Sequence, residues 1–487
     1  MNRVRPGFLL AGMSLVLVDA CTVGPNYRIP DRAMVRSPAA TGAFVGSSDR
    51  SVSVAPLPSH WWRLYDSHEL DRLVAQAFAE NTDLRMANAN LEYSHALLRE
   101  ATTLRQPSIA TGAGVEYAQL AGSQYLLPIT LPRNTYYDAD VTIGYDLDLF
   151  GGIRRGIEEA RANDEAVAAA RDLVRVNVAA ETARAYADVC GAGLQLAAAR
   201  RSLALQKQSL DLTQKLRQQG RAIDLDVTRS RQFVDELTAA IPNLQAFQRN
   251  ALYRLTTLTG RPPSEFDRHL EGCATPPRLT KPLPAGDGAA LLKRRPDVRQ
   301  AERQLAAATA GIGVATAQLY PDITLGLSVG SSGTPSEALT SPTNFWQVGA
   351  SIAWQANQSA ARDRIAGANA QAKLALAHFD GTVLTALEDT ESALNAYQHD
   401  LKREASLEAA RGEAATVVRD AERLQFSGRA TALDVIDAQR TLASAEQSLA
   451  QLQSGISEDQ IAVFLALGGG WETGPSRNEI PNPGLRP

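Results

Sequence analysis

Beyond its N-terminus this chain of 487 residues has no apolar run near the roughly 20 residues that a membrane helix requires, and its mean hydropathy is -0.19. If it crosses a membrane, helices are not how it does so. Clustered basic charge is missing too: 49 Lys and Arg lie scattered against 53 Asp and Glu, with a formal net charge of -4 and a pI near 6.0. Without a basic footprint, nucleic acid is a poor candidate partner. His60, His68, His95, His269, His378 and His399 form no HExxH or paired metal spacing, and no G-x-S-x-G, Walker or Gly-rich nucleotide loop occurs. Nor is there a Met cluster or Cys/His site, so the reading is of a non-enzyme with no cofactor and no metal site. Apolar content is ample at 44% hydrophobic, enough to bury more than one core and to argue against disorder.

Cysteine is scarce, at three residues. The first closes an export-type segment: Arg3 and Arg5 supply positive charge, residues 8–18 a short apolar stretch, and Asp19-Ala20-Cys21 its end. Residues 1–20 therefore read as a signal peptide, and Ala20-Cys21 resembles a bacterial lipobox in which Cys21 becomes the lipidated first residue. Asp19 departs from the usual small or aliphatic residue there, and an ordinary signal with an incidental Cys is the alternative. Cys190 lies in a helical stretch and Cys273 in a Pro-rich linker. A disulfide between them is possible, but two unpaired thiols are favoured.

Proline is absent between Pro132 and Pro242 and again between Pro342 and Pro475. Those windows are rich in Ala, Leu, Gln, Arg and Glu, the strong helix formers. Residues 157–219 could run as one helix of roughly 95 Å, with Gly191 and Gly193 as points of bending. Leu203, Leu210, Leu212 and Leu216 suggest helices packed side by side in a coiled-coil-like wall.

Other segments alternate with period two. Val141, Ile143, Tyr145, Leu147 and Leu149 alternate with Asp140, Thr142, Gly144, Asp146 and Asp148. Ile323, Leu325, Leu327 and Val329 alternate with Asp322, Thr324, Gly326 and Ser328. Trp346 to Trp354 forms a third run, and residues 109–117 a weaker fourth with Gly112 and Gly114 inside. These read as transmembrane barrel strands, with Tyr136, Tyr137, Tyr145, Phe345, Trp346 and Trp354 as an interfacial aromatic girdle. A small soluble sheet with one wet face has the same alternation. On this reading Asp146 and Asp148 share the wet face rather than serving as an acid/base pair.

The chain repeats itself. LRQQGRAIDLDV at 216–227 matches LQFSGRATALDV at 424–435, and Gly220 and Gly428 differ by 208 positions, as do Gly260 and Gly468. Pro107 and Pro321 lie 214 apart, and Tyr145 and Trp354 lie 209 apart. Each copy holds a helix, two strands and a helical hairpin turning at Gly220 or Gly428. The expected organisation is a tether at 21–60, a first repeat at 61–271 with strands at about 108–149, a linker at 272–290, a second repeat at 291–471 with strands at about 322–354, and a tail at 472–487. Four strands cannot close a barrel, because even about eight leave an interior only wide enough for side chains. Open edges in a bilayer are not viable, so membrane insertion would require oligomerisation.

CTVGPNY at 21–27 with Pro30 resembles the mature start of outer-membrane efflux lipoproteins of the TolC-like superfamily, in the OprM and NodT branch. Trp61-Trp62, YDLDLFGGIRR at 145–155, LLKRRPDVRQAE at 291–302, LDVIDAQR at 433–440 and LGGGW at 467–471 extend the resemblance along the chain. After Trp354 the family's usual Phe-Asp-Gly-Gly-type turn is replaced by QANQSAARDR. The resemblance implies a mixed α and β membrane protein of the Gram-negative outer membrane: a homotrimer whose strands form one transmembrane β-barrel of about twelve, four per chain, above a periplasmic α-helical barrel. It implies the exit duct of a tripartite pump, with a periplasmic adaptor (membrane fusion) protein, an inner-membrane transporter of the resistance-nodulation-division class and outer-membrane lipid as partners. A type I secretion duct and a periplasmic adaptor are the alternatives, although adaptors lack two strands per repeat. Also implied are adaptor docking at Gln219-Gly220-Arg221 and Ser427-Gly428-Arg429, lipidation of Cys21, and a periplasmic gate at Leu433 and Asp437. In the first repeat Leu225 and Arg229 stand at the gate positions.

Overall fold

The computed structural model describes residues 22–126 and 128–472. In chain order the regular elements are α1 (Pro38–Thr41), β1 (Val52–Ser53), α2 (His68–Glu80), α3 (Thr82–Thr103), β2 (Ser108–Ala118), β3 (Asn134–Asp146), α4 (Gly152–Gln218) and α5 (Asp224–Leu258). There follow β4 (Leu283–Pro284), α6 (Gly288–Arg294), α7 (Pro296–Ala317), β5 (Asp322–Gly333), β6 (Asn344–Ala353), α8 (Ser359–Phe426) and α9 (Ala432–Ala466). The succession from α2 to α5 is repeated from α6 to α9, and α4 and α8 have 67 and 68 residues while α5 and α9 have 35 each. Helix α4 runs unbroken through Gly191 and Gly193, and α5 tolerates Pro242 in its interior. Two compact units cut across the repeats: of the described residues, 22–30, 91–167 and 301–379 form one, and 31–90, 168–300 and 380–472 form the other. Each repeat therefore supplies half of each unit.

The first unit contains a four-stranded antiparallel sheet in the order β2-β3-β5-β6. Its register carries the alternation into one continuous ladder: Ile109 pairs with Ile143, Ile143 with Leu327 and Leu327 with Val348. The next rung on the same face joins Thr111, Val141, Val329 and Trp346. Among the described residues β2 and β6 each have a single neighbour strand. Strand β3 starts earlier than the alternation from Asp140 suggested and stops at Asp146, so Asp148 is not on the wet face. The Asp148 carboxylate instead accepts the Ile153 and Arg154 amides at 2.9 and 3.0 Å, satisfying the first turn of α4. Asn357, 209 positions later, accepts from the Ser359 amide at the start of α8.

The second unit holds the large core. Trp61 stacks on Phe464 at 4.6 Å between centroids, and both are fully buried with Leu70, Val74, Ala183, Leu252, Leu394, Ile456 and Ile461. Helix α2 contributes Leu70, Leu73, Val74 and Ala77 at helical spacing, after a start capped by the Ser67 hydroxyl. Within this unit the expected tether is folded down: Phe44, Val52 and Leu57 are buried, and β1 pairs in parallel with β4 of the linker. Those two segments make one belt rather than two free connections.

Cys190 and Cys273 are joined by a disulfide, which corrects the expectation of two unpaired thiols. Helical placement of one partner and irregular placement of the other did not keep them apart, because Gly193 has no side chain. A Cβ there would come within 1.8 Å of the Cys273 carbonyl oxygen, so only glycine lets that backbone lie against α4.

Candidate functional site

The sheet presents an uncovered apolar face. Val115, Val329, Trp346, Val348 and Ile352 are all more than half exposed, and Ile109 is 70% exposed. The strands run 10 to 13 residues, matching the roughly 9–11 residues that span a bilayer as tilted β-structure. A contiguous exposed apolar surface of this kind marks a face that meets another protein surface or a membrane. The other face carries Asp138, Asp140, Thr142, Asp146, Thr324 and Ser328, linked by bonds such as Thr324 Oγ1 to Asp146 at 2.6 Å. Of the expected girdle, Trp346 and Trp354 are strongly exposed, Tyr145 and Phe345 moderately, and Tyr136 and Tyr137 are half-buried. Tyr137 reaches the Ser331 hydroxyl at 2.6 Å instead of standing free.

Cys21 lies outside the described residues. The residues after it are held in the first unit by Arg155, 3% exposed, whose guanidinium donates to the carbonyls of Val23 at 3.0 Å and Gly24 at 3.2 Å and to Asn26 Oδ1 at 2.8 Å. Tyr27 donates to Glu302 at 2.5 Å; burial, then that carboxylate, hold its hydroxyl well above the usual phenol range. The sequence motifs VGPNY and GGIRR therefore meet in space. Sequence reasoning singled out both without linking them.

The two hairpin turns have the same geometry. Gly220 and Gly428 each have φ +74, and the Arg221 and Arg429 amides donate to Leu216 and Leu424 carbonyls, each at 2.8 Å. A positive φ at that position selects glycine, and the six-residue return bond satisfies a carbonyl left over at the helix end. Thr431 and Asp434 then cap α9 reciprocally, and those bonds hold the Asp434 carboxyl below the ordinary range. Gln219, Arg221, Ser427 and Arg429 are all exposed. So is Phe426, at 88%, where the first repeat has Gln218. This aromatic was not singled out from sequence, although its contrast with Gln218 in the aligned repeats is a visible signal.

Leu433 is 36% exposed and Asp437 is also exposed, one turn apart on α9. Arg440 does not take Asp437 as its partner; it pairs with Glu236 at 3.6 Å and lies over the Phe233 ring. Deeper in the second unit, Asp188 and Glu458 line a cavity of about 540 Å³ with Asp400, Arg403, Gln195 and Phe247. Burial, then the Glu458 carboxylate, push Asp188 up to about 7, against the opposing pull of Arg184. Burial, then Asp400 and Glu458, push Asp459 up to about 6.

The profile of the outer membrane efflux protein family matches residues 73–261 and 289–469, one stretch per repeat. Nodulation protein T of Rhizobium leguminosarum bv. trifolii is 27% identical over 464 residues, covering 94% of this chain and 96% of that protein. The pyoverdine export outer membrane protein OpmQ of Pseudomonas putida is 28% identical, covering 85% of this chain and 88% of its own length. Among solved structures, the outer-membrane channel OprN superposes with a TM-score of 0.86 at 35% identity, covering 93% of this chain and all of that one.

Proposed function

The chain belongs to the outer membrane efflux protein family, and on that premise we propose that three copies assemble into one exit duct fed by an inner-membrane transporter through a periplasmic adaptor. The protein is an outer-membrane efflux channel of TolC-like fold, with a helical tunnel and a β domain. The observation that carries the assembly is the sheet: four strands with an uncovered apolar face and two unpaired edges. In hydrocarbon an unpaired edge leaves amides and carbonyls without partners at several kcal/mol each, and four strands are too few to close on themselves. Pairing β2 of one copy with β6 of the next removes every edge when the ring closes. Cross-linking of the protein in isolated outer membranes should give a trimer ladder, and purified particles should form channels in planar bilayers. A monomer without conductance would end this reading.

Within the duct, Leu433 and Asp437 form the periplasmic gate, and the turns at 219–221 and 427–429 dock the adaptor, with Phe426 as an added apolar contact. Supporting the docking is the exposure of Phe426, Arg221 and Arg429 at two glycine turns of the same geometry. Substituting Arg221 and Arg429 should reduce adaptor cross-linking while the trimer persists; unchanged cross-linking would leave the turns with a structural role alone. Cys21 carries the lipid, and mass spectrometry of the native N-terminus tests it.

A further inference from the structure

The belt of the second unit is fastened to the helices at two positions that the duplication makes equivalent. Cys190 on α4 and Gln398 on α8 lie 208 residues apart, the offset that also relates Gly220 to Gly428. Gln398 Nε2 donates to the carbonyl of Gly46 in the belt's first strand of chain at 2.6 Å. Cys190 is bonded to Cys273 in its second. One fastening forms and breaks freely in water. The other requires an oxidation.

The surroundings of the pair are shaped to receive it. Gly193, less than one turn along α4, leaves the space that the Cys273 backbone occupies. Gln248 Nε2 bridges the two sides, donating to the Val189 carbonyl at 3.3 Å and the Glu271 carbonyl at 3.2 Å. Arg249 holds Glu271 at 3.0 Å. Cys190 is fully buried, whereas Cys273 sits in irregular backbone and is partly exposed.

We propose that Cys190 and Cys273 form an oxidative assembly site: the exported chain presents two thiols, a periplasmic protein bearing a reactive disulfide oxidises them, and the bond locks the inter-repeat segment onto α4. The Cys273 thiolate attacks one sulfur of the oxidant's disulfide, forming a mixed disulfide and expelling the oxidant's other sulfur as a thiolate. The Cys190 thiolate then attacks Cys273 Sγ, forming the intramolecular bond and releasing the oxidant's second thiolate. Both thiol protons pass to solvent or to the oxidant, which leaves as a dithiol with two electrons. Access sets the order, because exchange requires the attacking and attacked sulfurs to be reachable. Cys273 can meet a large oxidant, while Cys190 is reached only by the segment that finally covers it.

The proposal rests on export of the chain, so thiols are counted in protein recovered from the outer-membrane fraction. Mass-tagging with a maleimide after denaturation gives the number, and the double variant Cys190→Ala with Cys273→Ala sets the baseline left by Cys21. Protein from ordinary cells should show no thiol above that baseline, protein from cells deprived of the periplasmic disulfide donor should show both, and added cystine should restore the bond. Reduced protein should be cut by trypsin after Arg278 at least about tenfold faster, since opening of the segment is no longer held by the cross-link. Gly193→Ala, which keeps both thiols but fills the seat, should leave them free even in ordinary cells. Gln398→Ala should loosen the Gly46 side without any redox dependence. Two free thiols in outer-membrane protein from ordinary cells, full oxidation without the donor, or equal trypsin sensitivity of reduced and oxidised protein would each overturn the proposal. Absence of the chain from the outer-membrane fraction would remove its premise instead, and that is visible before any thiol is counted.

Discussion

The two repeats have kept their backbone and changed their fastenings. At the end of α5, Asn81 donates to the Leu258 carbonyl at 3.1 Å; at the end of α9, Arg295 donates to the Ala466 carbonyl at 2.9 Å. Both acceptors are the last residue of their helix, and both donors stand immediately before α3 or α7. The same orphan carbonyl is thus satisfied twice, by a neutral amide in one copy and a charged guanidinium in the other. Similar substitutions recur along the hairpins: Cys190 against Gln398, Arg229 against Asp437, Gln218 against Phe426. A requirement of backbone geometry is preserved while the side chain that meets it is free to change, and with it charge, covalency and exposure.

The largest asymmetry expected is between Arg295 and Asn81. Arg295 also binds Asp297 and Asp389, so Arg295→Ala removes charge-assisted bonds to two carboxylates and leaves the Ala466 carbonyl with only the 3.5 Å bond from Thr390, and it should cost about 3–4 kcal/mol. Asn81→Ala loses neutral bonds only and should cost about 1–2 kcal/mol. Denaturation midpoints of the two variants check the ranking, and equal losses would break the comparison.

Next comes the covalent fastening. Cys190→Ala with Cys273→Ala opens a loop of 83 residues and should cost about 2–4 kcal/mol, less than the full chain-entropy figure of about 4.5. The equivalent Gln398→Ala should cost about 1 kcal/mol, the net worth of a hydrogen bond. Thermal unfolding of oxidised and reduced protein, with and without each change, separates the two.

A smaller effect follows from the acid pair on α4 and α9. Asp188 is pushed up from 3.8 to about 7, so between those values the folded protein binds a proton that the unfolded chain does not. Its contribution is full below about pH 4 and is lost as pH rises through about 7, which makes the protein more stable at pH 5.5 than at pH 8. After allowance for solvent the difference should be about 1–2 kcal/mol. Asp188→Asn should flatten the profile and raise the melting temperature at pH 8; an unchanged slope would assign it to other groups.

The smallest change in stability, within about 0.5 kcal/mol, is expected for Leu433→Ala with Asp437→Ala, because both residues are exposed. Conductance should nevertheless rise and cation preference fall in single-channel recordings. The matching Leu225→Ala with Arg229→Ala should leave cation preference in place, so equal responses would erase the distinction between the hairpins.

Much of this architecture was legible in the sequence, because its signals are local. Alternation in Asp322 to Val329 announced a strand, and Gly220 and Gly428 announced turns whose positive φ no other residue adopts as easily. The limits were local as well: Asp148 continued the alternating pattern but left the sheet to cap α4, since an unsatisfied helix start competes for any nearby carboxylate. Candidate gate and docking residues could be named, but their surroundings could not. That Arg440 would choose Glu236 on the other repeat's hairpin over Asp437 on its own helix depends on how α5 and α9 pack.

By itself the sequence determined the duplication, the two strand pairs, the long helices and the places where they turn, because period, glycine and proline act within a few residues of themselves. Tertiary structure alone decided that Cys190 meets Cys273, that the tether pairs with the linker through β1 and β4, and that Arg155 grips the residues after Cys21. Those contacts join positions 83 to more than 200 residues apart. Nothing in the spacing of such residues encodes their meeting; it follows from which surfaces remain once the helices have packed, and from the space that a single missing side chain at Gly193 leaves open.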